Sequence, residues 1–201
     1  MGFSSIINPL YLALTPSGIP LRHPHATRFA YFWVSPKPSC ADFPTVARVP
    51  ITVVLDGVSG NYNIGAIFRL CDAFLIERLV ICGVPVQLRK RRLIEAAMGA
   101  QRWVPWCQEV DAAAAVRGLK AAGAWIAAVE LTADSEGLSA FCPRYPAVLV
   151  LGAERLGISP AVLALADQAV AIPMRGMSNS LNVATACAIV LHEMARWVPP
   201  A

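Results

Sequence analysis

A chain of 201 residues holds one full domain with a sizeable core and hardly two independent ones. Hydrophobic residues make up 56% and charged residues only 15%, an apolar balance that points to surface covered by a second copy of the chain. The longest apolar runs, such as 147–151 and 183–191, fall short of the roughly 18 residues that a membrane span needs, and the formal charge of +4, carried mostly by arginine, suits a partner with phosphates.

Eight of the 16 prolines fall in the first 50 residues, where neither helical nor strand periodicity shows. Residues 1–49 therefore read as a proline-rich irregular extension and 50–201 as the domain. The first positive charge is Arg22, so the apolar opening lacks the basic start of a secretory signal and the chain reads as cytoplasmic. From Pro50 the texture changes. An apolar strand is expected at 51–55, a helix at 63–75 with Ile64, Ile67, Phe68, Cys71 and Leu75 on one face, and a strand at 79–82. Helices follow near 91–98 and 111–122, strands at 125–129, 147–151 and 168–172, and a last helix at 181–196. Strands alternating with helices in this way predict an α/β fold, a parallel sheet covered on both faces. In the last helix Val183, Cys187, Val190, Leu191 and Met194 recur at helical spacing and form a stripe for the core or a twin subunit. The six cysteines, at 40, 71, 82, 107, 142 and 187, have no Cys-x-x-Cys spacing and read as reduced core residues. His23, His25 and His192 are scattered, so neither a metal site nor a hydrolase triad is expected.

Three segments carry the polar chemistry. In Asn61-Tyr-Asn-Ile-Gly-Ala-Ile-Phe-Arg69, Asn63 stands where a helix cap belongs and Gly65 lies one turn before Arg69, an opening for a phosphate or ribose to approach the backbone. In Leu149-Val-Leu-Gly-Ala-Glu-Arg-Leu-Gly-Ile-Ser-Pro160, a buried strand ends in Gly152, with Glu154 at its mouth in need of a partner that Arg69 or Arg175 could supply. In Ile172-Pro-Met-Arg-Gly-Met-Ser-Asn-Ser-Leu-Asn-Val183, Ser178, Asn179, Ser180 and Asn182 crowd a helix start that needs only one of them as cap. No Gly-x-Gly-x-x-Gly or phosphate-loop lysine motif is present. Arg89, Lys90, Arg91 and Arg92 form a basic patch, readable either as phosphate contacts or as a solvated helix start. Trp103 and Trp106 could stack on bases, although core packing is the favoured reading of both.

In this order and at these separations, 63–69, 151–157 and 172–183 resemble the three motifs of the SpoU/TrmH family of SPOUT-class RNA methyltransferases, over roughly residues 50–197. The resemblance implies a C-terminal trefoil knot, a homodimer, S-adenosyl-L-methionine as cofactor, and methyl transfer to a ribose 2′-hydroxyl of tRNA or rRNA. It implies a cofactor held at Leu131, Thr132, Gly152, Ile172, Met174 and Leu181. Catalytic duty falls on Arg69, with Asn63, Glu154, Ser180 and Asn182 orienting it and the substrate, and Arg69 often serves the neighbouring subunit's cofactor site. Arginine stays protonated in proteins, so Arg69 reads as a clamp for ribose or phosphate rather than a base. RNA capture would fall to Arg89, Lys90, Arg91 and Arg92, since 1–49 does not resemble the separate RNA-binding domain of larger members. Two other readings stay open: a non-catalytic RNA-binding relative that keeps the knot, and a methyltransferase for a non-RNA substrate.

Overall fold

The computed structural model describes residues 46–198, so most of the expected extension at 1–49 lies outside the described residues. A seven-stranded sheet forms the centre, built from β1 (Val49–Asp56), β2 (Ile76–Cys82), β3 (Trp106–Glu109), β4 (Trp125–Val129), β5 (Glu136–Gly137), β6 (Ala147–Gly152) and β7 (Gln168–Ala171). Its order is β3-β2-β1-β6-β4-β7-β5, and every pairing is parallel. Parallel strands need crossovers that put helices on both faces, which is why the central strands are apolar on both sides. In β1, Ile51, Val53 and Leu55 point into one buried layer and Val54 into the other. The first layer is covered by α1 (Asn61–Ala73), α2 (Arg91–Ala97) and α5 (Val183–Arg196). The second is covered by α3 (Ala112–Ala121) and α4 (Pro160–Leu163).

The expected elements all form, with ends shifted by a residue or a few, and two strands join them. β3 is half-buried at Trp106 and Cys107 but exposed at Gln108 and Glu109, so its apolar signal is too short to read. β5 has two residues and exists through its pairing with Val170 and Ala171. Both stand at sheet edges, where one neighbour suffices.

The stripe on the last helix packs inside the chain. Val183, Cys187, Val190, Leu191 and Met194 are all buried in the layer shared with α1. It is therefore core, and the exposed face of α5 carries Thr185, Ile189, His192 and Arg196 instead. Of the cysteines, Cys71, Cys82 and Cys187 are buried as expected, whereas Cys142 is exposed; Cys40 lies outside the described residues. Burial pushes all three buried thiols up, that of Cys82 to about 12, and keeps them in the inert protonated form.

All parallel strands end on one edge, so the loops leaving β1, β4 and β6 gather there. That carboxyl edge is where open α/β sheets bind ligands.

Candidate active site

The helix α1 starts two residues earlier than the sequence suggests, and that shift decides the role of Asn63. Its N-cap is Gly60, with no side-chain cap bond, and Asn63 sits inside the first turn. Freed from capping, the Asn63 amide spans two other segments. Its Nδ2 donates to Glu154 Oε1 in the loop after β6, and its Oδ1 accepts from Asn182 Nδ2 at 2.9 Å. Asn182 is the cap of α5, its Oδ1 accepting from the backbone N–H of Ala184 at 3.0 Å and of Thr185 at 3.4 Å. The chain Asn182–Asn63–Glu154 thus ties together all three polar segments. The partner of Glu154 is an asparagine and not Arg69 or Arg175. A side chain at Gly60 would crowd this network, its Cβ falling 3.1 Å from Asn63 Nδ2 and 3.3 Å from Glu154 Oε1.

Beside it opens a cavity of about 480 Å3. Leu131, Thr132, Gly152, Glu154, Ser180 and Leu181 line it, together with Glu130, Leu156, Ile158 and Val183. Ile172 and Met174 are not in its wall: Ile172 is half-buried against the core and Met174 is exposed. Glu130, which sequence reasoning passed over, follows a buried strand directly, one residue nearer its strand end than Glu154 is to its own. Its Oε2 accepts from the Ile158 backbone N–H at 2.9 Å and its Oε1 from that of Leu131 at 3.2 Å.

Gly65 acts differently from the sequence expectation, whereas Gly152 does line the cavity. Gly65 offers no opening to a ligand, because a Cβ there would fall 2.4 Å from the Leu93 carbonyl oxygen; it lets α1 and α2 touch backbone to backbone. Gly152 is overlaid by its own loop, with Gly157 and Ile158 backbone atoms within 2.1 and 2.2 Å of a hypothetical Cβ. The loop closes on itself through paired bonds, Ala153 N–H to Gly157 O at 3.1 Å and Gly157 N–H to Ala153 O at 2.8 Å. Asp56, at the end of β1, anchors its far side by accepting from Ser159 N–H at 2.8 Å.

Arg69 is exposed on α1, is absent from the cavity wall, and has no hydrogen-bond or ion-pair partner among the described residues. Arg89, Lys90, Arg91 and Arg92 are all exposed around the start of α2, with Arg91 Nε donating to Glu95 Oε1 at 2.7 Å. That hydrogen bond and the Glu95 charge raise the Arg91 pKa. Cations at a helix N-terminus oppose the helix dipole, so helix stability does not explain the cluster. Trp106 packs edge-on against Phe68, ring centres 5.8 Å apart, and belongs to the core. Trp103 is 41% exposed and donates from Nε1 to Asp72 Oδ1 at 2.7 Å.

Residues 50–192 match the model of the SpoU rRNA Methylase family. A tRNA (guanosine(18)-2′-O)-methyltransferase from Thermus thermophilus is 36% identical over 150 residues, 73% of this chain and 74% of the relative. Among solved structures, the TrmH/SpoU tRNA modifying enzyme of A. aeolicus is 31% identical with a TM-score of 0.69, covering 77% of this chain and 79% of that one. An AdoMet-bound rRNA methyltransferase from Sinorhizobium meliloti is 27% identical with the same TM-score, over 77% of this chain and 59% of that one.

Proposed function

The chain belongs to the SpoU rRNA Methylase family, and from that membership and the geometry of its site we propose how its residues divide the work. It is an S-adenosylmethionine-dependent methyltransferase acting on a ribose 2′-hydroxyl of RNA, and tRNA or ribosomal RNA is the substrate class that its relatives' names support. The observation that carries the residue assignment is the Asn182–Asn63–Glu154 chain, which fixes three polar segments beside one cavity.

A volume of about 480 Å3 lined by aliphatic side chains such as Leu131, Leu156 and Leu181 together with polar ones such as Thr132, Glu154 and Ser180 is the size and character of a small-molecule site. Leu131, Thr132, Gly152 and Leu181 would hold S-adenosylmethionine there, with Ile172 and Met174 at most outside the wall as supports. The cofactor supplies a methyl group activated by its sulfonium. The chain's own tasks are to align the ribose oxygen, to help remove its proton and to exclude water. Glu154 and Ser180 stand in the cavity wall, and Asn63 and Asn182 fix Glu154 there, which suits them to orienting the incoming ribose. Arg69 acts as the clamp for ribose or phosphate, because a guanidinium stays protonated. Arg89, Lys90, Arg91 and Arg92 contact phosphates along the RNA.

We further infer a homodimer in which Arg69 serves the partner's cavity; its exposure and lack of a partner among the described residues support this. The family resemblance, together with the return of the chain from β7 at one side of the sheet to α5 beside α1, supports a trefoil knot in the C-terminal part. The transferase is assigned to 50–201 with 1–49 as an extension, and RNA substrates make the cytoplasm its working place.

Incubation with methyl-labelled cofactor and total tRNA or rRNA should put label on ribose 2′-oxygens. RNA binding without transfer would establish a non-catalytic relative, and label on protein or a small molecule alone would overturn RNA as substrate.

A further inference from the structure

Glu130 occupies a position that the catalytic reading leaves unexplained. Its backbone N–H bonds to Val170 O at 3.2 Å, so it stands on the rigid end of β4 beside β7. Both carboxylate oxygens are engaged, Oε1 by the N–H of Leu131 and Oε2 by the N–H of Ile158. Leu131 begins one wall of the cavity and Ile158 closes the other, and both line it along with Glu130 itself. The loop is shaped to admit the carboxylate. Gly157 has φ +66°, and a Cβ on it would fall 2.4 Å from Glu130 Oε2. Gly152, on the strand below, has no room for a Cβ under the same turn. Two glycines and one carboxylate therefore make a single fitted unit across the β4 and β6 ends.

We propose that Glu130 is a positioning residue of the cofactor cavity, a latch that holds the 153–158 loop against the 130–132 segment so that both walls stand ready before the cofactor arrives. This rests on the reading of the cavity as the S-adenosylmethionine site. A carboxylate accepts both N–H groups; a carboxamide keeps one acceptor and turns a donor toward the other N–H, losing one bond and leaving a donor unsatisfied. A cavity whose walls must be ordered on binding binds more weakly than one already ordered.

The test measures S-adenosylmethionine binding by calorimetry and amide exchange of the ligand-free protein, for the unaltered protein, Glu130→Gln and Gly157→Ala. Glu130→Gln should weaken cofactor binding about tenfold and speed exchange across 153–159, while kcat at saturating cofactor falls less than threefold. Gly157→Ala displaces the carboxylate from the other side, so it should weaken binding too. The pair of changes together should cost less than the sum of each alone. Cofactor affinity within twofold in Glu130→Gln, unchanged exchange in 153–159, or strict additivity of the two changes would overturn the latch. If the unaltered protein binds no S-adenosylmethionine, the reading of the cavity falls, and the exchange comparison still decides the latch. If Glu130→Gln does not fold, Glu130→Asp takes its place: a carboxylate one methylene shorter cannot reach both N–H groups, so weakened binding and faster exchange in 153–159 support the latch and their absence overturns it.

Discussion

Two residues four apart on α1, Gly65 and Arg69, separate packing from chemistry. Gly65 has the Leu93 carbonyl 2.4 Å and the Ala96 Cβ 2.9 Å from where its own Cβ would lie. Gly65→Ala gains helix propensity but must push α2 away, so it should destabilise the protein by about 1–3 kcal/mol net in urea titration. An increase in stability would mean that α2 yields freely. Arg69 is the opposite case. Arg69→Ala should leave the urea midpoint and the cofactor Kd nearly unchanged while transfer to RNA falls by at least about 100-fold, the scale of a lost clamp in the transition state. Equal loss of cofactor affinity and transfer would make Arg69 structural. The sequence pattern pointed to Asn63, Glu154, Ser180 and Asn182, because each is a polar side chain at a strand mouth or helix start. The bond partners were beyond its reach. The cap of α1 lies three positions before the expected Asn63, and with Gly60 as cap Asn63 is released to join Glu154 and Asn182.

The buried strands were legible because both faces are apolar, and the helices because their spacing is regular; the edge strands β3 and β5 were not, being short and defined by their neighbours. The same dependence on neighbours shows where α3 meets the sheet. Lys120 Nζ donates to Leu165 O and to Asp167 Oδ1, both at 2.7 Å, and Asp167 Oδ2 accepts from Ile126 N–H at 2.8 Å. Burial alone pushes the Asp167 carboxyl up, but the Lys120 hydrogen bond, the Ile126 N–H and the Lys120 charge outweigh it and hold it below its ordinary 3.8. The folded protein thus binds this proton less readily than the unfolded chain. Its contribution to stability is full above the unfolded value of about 4 and is lost as pH falls through the folded one. Asp167→Asn should lower the urea midpoint at pH 7 and flatten its decline below about pH 4. An unchanged acid limb would show that Asp167 is not one of the groups driving acid unfolding.

The last question is whether one chain can complete its own site. Asn63, Glu154, Ser180 and Asn182 gather at the cavity within one chain, but Arg69 faces outward from α1, on the side of the sheet that α1 shares with α5. Tyr62 at 63% and Ile189 at 37% exposure stand on these two helices, apolar surface suited to a twin subunit. In an isologous dimer each surface meets its own copy, so an arginine pointing out of one chain can point into the other chain's site. Arg69→Ala and Leu181→Asp should each be inactive alone, the first for want of the clamp, the second because Leu181 lines the cavity. If the protein is the homodimer proposed above, co-refolding in equal amounts gives mixed dimers in half the molecules, and each mixed dimer pairs one intact cavity with one intact arginine. A shared site then restores about a quarter of full activity, since half the dimers carry one working site of two. If the site is built within one chain, every subunit in the mixture carries one defect and activity stays at the level of the separate variants.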